Sequence, residues 1–166
     1  MCKQRRAILH AAVSMPLLSS LPSSLLPLKN IVELADGSAY PLAMFGVQIY
    51  DNDVAYDNTM RAIEAGFRAF FTSPEAGNQF GFAQAVRDSG LPREAVYIAG
   101  SILSDNAENY RNARALTARE CDASLQTLAQ GGVNYLDMLL LERPAIGGCA
   151  AILGQWKECE ARRMSG

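Results

Sequence analysis

Few residues in this chain are equipped for chemistry, and Glu142 is the first to consider. It follows the apolar run at 135–141 and stands directly before Arg143 and Pro144. A carboxyl at a strand end can serve as a general acid or base when burial sets its ionisation. The sequence offers it no evident partner, and a charge in that position is more commonly solvated or paired with a neighbour such as Arg143. His10 is the single histidine and sits near the N-terminus, so histidine-based metal or triad chemistry is all but excluded. Cys2, Cys121, Cys149 and Cys159 match no metal-ligand spacing and no dense disulfide framework, so unpaired or buried thiols are expected and no metal is. The sequence contains no G-x-G-x-x-G and no G-x-x-x-x-G-K-[ST]. Its glycine pairs, Gly131-Gly132 and Gly147-Gly148, suit turns and helix ends better than phosphate cradles.

The elements that must position these residues follow from periodicity. The chain of 166 residues suggests a single domain over 30–166, preceded by a distinct segment at 1–29. With 15 basic and 17 acidic side chains, it has no positive field to attract nucleic acid. Two apolar stretches, 31–34 and 40–44, flank Asp36-Gly37, a hairpin signal, since glycine accepts the positive φ of a tight turn. Asp51-Asn52-Asp53 supplies N-cap oxygens for a helix carrying Met60, Ile63 and Phe67 at helical spacing and closed by Gly66. A strand is expected over 68–72. A short helix with Phe82 and Val86 follows, then a β-branched and aromatic strand at 95–99. A further helix presents Ala118, Cys121, Leu125 and Leu128 on one face. The unbroken apolar middle of 135–141 reads as a strand buried on both faces. Strands alternating with helices make a parallel α/β sheet, and in a parallel barrel the C-terminal strand ends carry the chemistry.

Several passages resemble the aldo-keto reductases. Residues 62–68, Ala-Ile-Glu-Ala-Gly-Phe-Arg, are similar to that family's Ala-x-x-x-Gly-Tyr-Arg segment. Leu91-Pro92-Arg93-Glu94 is very like its connection between the second and third units. Ser124-Leu125 and Leu128 lead into Asp137 and Pro144, as its Ser-Leu-x-x-Leu helix leads into an Asp-x-x-x-x-His-x-Pro strand. The helix around 156–160 resembles its Trp-x-x-Met-Glu element. The resemblance covers roughly 31–160. It implies a partial (β/α) TIM-type barrel of about four strand–helix units, preceded by a small hairpin, where the full family barrel has eight strands.

The same resemblance locates what the family uses for carbonyl reduction and finds every position altered. The segment Thr72-Ser73-Pro74-Glu75-Ala76-Gly77-Asn78 follows the family's Asp-Thr-Ala and Tyr-x-Asn motifs at Thr72 and Asn78. Phe71 stands for the catalytic aspartate, Ala76 for the tyrosine, Ser101 for the lysine and Glu142 for the histidine. The acid, its tuning charges and the orienting group are thereby lost together. No catalytic residue is therefore expected, and no cofactor, since most of the family's nicotinamide dinucleotide contacts come from later strands.

Two functions remain in view. One is a non-catalytic aldo-keto-reductase-like scaffold or accessory subunit. Open sheet edges would drive its association with another copy, a protein partner or a membrane complex. The other is a divergent or fragmentary NADP(H)-dependent oxidoreductase. The segment at 1–29 places Arg5-Arg6 before a short apolar run, on the plan of a twin-arginine leader, and suggests a thylakoid lumen or exported compartment. A photosynthetic membrane complex is one host consistent with such a leader. The alternative is an N-terminal arm, since no clean cleavage motif follows.

Overall fold

The computed structural model describes residues 31–34 and 37–165, so the leader or arm at 1–29, with Cys2 and His10, lies outside the described residues. Among the described residues, six strands and four α-helices form, and strands alternate with helices from β3 onward, as expected. Strands β1 (Ile31–Glu33) and β2 (Ala39–Pro41) form the antiparallel hairpin, in which Gly37 takes a φ of 80°. Strands β3 (Phe45–Gly46), β4 (Ala69–Thr72), β5 (Tyr97–Ile102) and β6 (Met138–Leu141) follow one another in a four-stranded, wholly parallel sheet. Between them run α1 (Asn52–Glu64), α2 (Gln79–Asp88) and α3 (Tyr110–Gln130), with α4 (Gly148–Ser165) after β6. This is an α/β, partial TIM-type barrel of four strand–helix units behind a hairpin.

Local chemistry explains the element boundaries. Asp51 caps α1, its carboxylate accepting the Val54 amide at 2.9 Å. Asn109 does the same for α3 through the Asn112 amide at 3.0 Å. Gly131 closes α3 and Gly132 turns the chain at a φ of 103°, so this pair does serve a helix end. Gly147 has a different reason to be glycine: a Cβ there would lie 2.1 Å from the Glu108 carbonyl oxygen.

Two strands differ from the sequence expectation. β5 runs on to Ile102, so Ser101 lies within the strand rather than beyond it. β6 starts only at Met138, because the Asp137 carboxylate rather than a backbone carbonyl accepts the Ile98 amide, at 2.8 Å. Its four residues are half-buried along their length rather than buried on both faces, as befits the last strand of the described sheet.

Register assigns the sheet faces. Phe70 and Ile98 are aligned, fully buried, and packed with Phe82, Val86 and Leu128 beneath the helices. Alternation therefore turns Phe71, Ala99 and Met138, which are mutually aligned, to the opposite, barrel-interior face. Ser101 and Leu140 share that face one step further along.

Candidate functional site

The interior face ends, at the C-terminal side of the sheet, in a small polar cluster. Strand parity carries Ser73 onto the side of Phe71, and Glu142 onto the side of Met138 and Leu140. There the Ser101 hydroxyl donates to Glu142 Oε2 at 2.8 Å, and the Ser73 hydroxyl donates to the same oxygen at 3.3 Å. Ser73 and Ser101 are buried and Glu142 is half-buried. Ser73 also caps the one-turn 3-10 helix Pro74–Ala76, its oxygen accepting the Glu75 amide at 3.3 Å. The expectation that Glu142 is solvated or paired with Arg143 does not hold. Arg143 turns instead towards Glu75 at 3.9 Å and Asp105 at 3.7 Å, in exposed, loose pairs.

Of the four positions drawn from the family pattern, the structure joins Ser101 and Glu142 directly. Phe71 lies on the same face, half-buried, one strand across from Ala99. Ala76 closes the 3-10 turn that Ser73 begins. The residue that sequence reasoning missed is Ser73. Its signal was available: a serine before Pro-Glu is a favourable cap, and it lies two residues past Phe71 on an alternating strand.

The loops around the cluster are held by buried amides. Asn78 donates to the carbonyls of Val47 at 2.5 Å and Tyr50 at 2.7 Å, tying the start of α2 to the loop after β3. Gln155 of α4 is fully buried. Its Oε1 accepts the Ala145 amide at 3.0 Å. Its Nε2 donates to the Ser104 carbonyl at 3.1 Å, the Ser104 hydroxyl at 2.9 Å and the Arg143 carbonyl at 3.3 Å. The residue after Glu142 is thus fixed from behind by the last helix. Glu158 and Arg162 of α4 extend the same clamp to α3 through Arg114, Asp122 and the Ala118 carbonyl.

In chemical terms the cluster is a carboxylate satisfied by two neutral hydroxyls. It contains no cation, no phenol and no imidazole. A carboxylate is too weak a base to ionise a serine hydroxyl, so the arrangement makes no activated nucleophile. Among the described residues, no group of three or more His, Cys, Asp and Glu side chains could hold a metal ion. The cysteines lie elsewhere. Cys121 and Cys159 are free, and burial pushes their thiols up to about 12 and about 11 respectively. Cys149 is exposed and disulfide-bonded, so the expectation of four unpaired or buried thiols fails at that position.

The opposite end of the sheet is built quite differently. Arg93 donates to the Asp137 carboxylate at 2.8 Å, to the Tyr135 carbonyl at 2.8 Å and to the Val96 carbonyl at 2.5 Å. Its guanidinium carbon lies 3.8 Å from the centre of the Tyr135 ring. Tyr40 of the hairpin meets Tyr97 edge-on, the ring centres 6.2 Å apart.

The four-strand parallel half-barrel has counterparts among known proteins. The aldo-keto reductase of Mycobacterium sp. (strain MCS) is 29% identical over 114 residues, which cover 69% of this chain and 38% of that protein. Methylglyoxal reductase DkgA of Escherichia coli O157:H7 is 25% identical over 115 residues, again 69% of this chain and 38% of the relative. Among solved structures, an aldo/keto reductase from Brucella melitensis superposes with a TM-score of 0.68 at 25% identity, over 82% of this chain and 50% of that one. The chain is a relative of the aldo-keto reductases. An aldo-keto reductase enzyme from a Medee basin deep-sea metagenome library shares the fold, with a TM-score of 0.66 at 23% identity, over 82% of this chain and 46% of that one. No family model matches the chain. This aldo-keto reductase relative therefore spans well under half the length of those curated relatives and about half of the solved chains.

Proposed function

We propose that this aldo-keto reductase relative is a scaffold that acts through protein contacts rather than through carbonyl reduction. The observation that carries this reading is the hydrogen bond from Ser101 to Glu142. The two positions that supply a lysine and a histidine in the family here satisfy each other at 2.8 Å. Reduction of a carbonyl requires a proton donor beside the developing alkoxide. Phe71 and Ala76, in the aspartate and tyrosine positions, offer none. The Ser101 hydroxyl is too weak an acid without a base, and Glu142 is engaged as the acceptor of two hydroxyls.

The second reading is a divergent reductase. It is favoured by the curated relatives, which include a methylglyoxal reductase. The two separate in one experiment on the 166-residue chain. NADPH is titrated while the fluorescence of Trp156 is followed, and NADPH oxidation is then recorded with methylglyoxal. The scaffold reading expects no saturable quench and no turnover. Saturable quenching, together with turnover that falls in Ser101→Ala or Glu142→Ala, would overturn it in favour of the reductase.

A further inference from the structure

We propose that a single water molecule is built into the C-terminal end of the sheet, bridging the Thr72 hydroxyl and the side-chain carbonyl of Asn78, and that it fixes the turn carrying Ser73. The inference goes beyond the scaffold reading and holds equally for a reductase.

Thr72 closes β4, and Asn78 stands directly before α2. Both residues are fully buried, yet Thr72 Oγ1 and Asn78 Oδ1 have no hydrogen-bond partner. A buried polar atom left in that condition is costly, and in folded proteins such atoms are nearly always satisfied. Other buried polar side chains of this protein do pair. Gln79 and Ser124 bond each other at 2.9 and 3.2 Å, and the Ser104 and Thr117 hydroxyls lie 2.8 Å apart. Among the described residues, the other unpartnered atoms of this kind belong to Thr59, in the middle of α1, and to Arg93, at the N-terminal end of the sheet.

Register brings Thr72 and Asn78 to one place. Gly46 is aligned with Phe71, and the Val47 amide donates to the Phe71 carbonyl at 3.2 Å, so Val47 comes beside Thr72. The Asn78 amide donates to the carbonyl of that same Val47 and to that of Tyr50. The sheet face agrees. Phe70, two residues before Thr72, meets Phe82 of α2 with ring centres 5.7 Å apart. Alternation turns Thr72 to the same face, towards the start of α2.

The ligand follows from the two atoms. Asn78 Nδ2 already donates to two carbonyls, so the amide cannot turn over and Oδ1 is held where it is. Oδ1 can only accept, so its partner must supply a proton. The Thr72 hydroxyl can give or take one. A water donates to Oδ1 and either donates to or accepts from the hydroxyl, within the roughly two to four partners of a buried water. A cation fits worse, because both atoms are neutral and a buried charge without a counter-charge is costly. These two residues are also the ones at which the segment 72–78 follows the family motif. The water joins strand to helix across the turn between them, and so holds Ser73 at Glu142.

The test is water-oxygen magnetic relaxation dispersion, which counts long-lived internal waters and is blind to the exchange of hydroxyl protons. It is run on the folded 166-residue chain and two variants. Thr72→Val keeps the shape and removes the hydroxyl. It should lower the dispersion amplitude by one water per chain. It should also reduce the folding equilibrium constant about fivefold or more in urea unfolding, since Asn78 Oδ1 loses its bridge. Thr72→Ser keeps the hydroxyl and should keep the parent's amplitude. An unchanged amplitude in Thr72→Val would overturn the proposal. In that event a more stable variant would show the hydroxyl to have had no partner, and a less stable one would show it bonded to Asn78 directly. A parent chain with no long-lived water would overturn the proposal without any variant.

Discussion

The two ends of the parallel sheet follow opposite rules. At the N-terminal end, Arg93 and Asp137 form a nearly dry charged pair, with side-chain exposures of 15% and 7%, and the exposed ring of Tyr135 lies over the guanidinium. At the C-terminal end, Ser73, Ser101 and Glu142 form a small, mostly neutral cluster held by one carboxylate oxygen. The N-terminal joint includes Arg93 and Asp137, which the sequence resemblance reads as framework positions; the C-terminal cluster includes Ser101 and Glu142, which it reads as altered ones. In parallel barrels the first end serves stability and the second serves chemistry. Substitutions at the second end should therefore cost the fold less than substitutions at the first.

Substitutions test that contrast directly, and the largest effect belongs to the N-terminal joint. Asp137→Ala strands the Arg93 guanidinium in a nearly dry site and removes the acceptor for the Ile98 amide. A loss of about 3 kcal/mol or more is expected, measured by urea unfolding. A loss below about 1 kcal/mol would erase the distinction between the ends. Next comes Gln155→Ala, which leaves the Ala145 amide and Ser104 without their buried partner. It should cost about 2 kcal/mol, read from the same unfolding curves. Glu142→Ala, at the C-terminal end, should cost only about 1 kcal/mol, since it frees two hydroxyls. Glu142→Gln should cost still less, because an amide oxygen can accept the same bonds. A Glu142→Ala penalty as large as that of Asp137→Ala would show the cluster to be a structural joint in its own right.

The smallest effect is on pH dependence. Burial, with help from Asp137 and Tyr40, pushes the Tyr97 phenol up to about 12, and burial likewise raises the thiols of Cys121 and Cys159. Each group holds its proton more tightly when folded than when unfolded. Their contribution to stability is therefore complete below about pH 9 and is lost progressively as the pH rises towards 12. Thermal unfolding at pH 8 and pH 10.5 should show a falling midpoint, and Tyr97→Phe should flatten the upper part of that slope. A midpoint that rises over this interval would contradict the assignment.

How much of this was legible beforehand depended on the kind of interaction. The hairpin followed from Asp36-Gly37, and the helices from their caps and apolar spacing, because both are local in the chain. The end of β5 and the start of β6 were harder. The length of β5 is set by its neighbours in the sheet, and the start of β6 by a carboxylate 39 residues from the amide it accepts. The partner of Glu142 was illegible for the same reason. Ser101 and Ser73 are 41 and 69 residues away, and only strand parity in an aligned sheet brings them to one oxygen. Arg143 looked the obvious partner because it is adjacent, but successive residues on an extended chain point to opposite sides.

The bond from the Ile98 amide to Asp137 has a consequence at the far end of the strand. It docks a side chain against β5 beside the bond from the Asp137 amide to the Ile98 carbonyl at 2.9 Å, and so pins one residue of the incoming strand to one height on its neighbour. Every later residue then inherits its side of the sheet by counting from that pin. One residue inserted between Asp137 and Glu142 would rotate the carboxylate out among the helices and bring Leu141 to the serines in its place. The N-terminal joint thus measures out the strand, and the identity of whatever emerges at its tip is decided by arithmetic begun at its base.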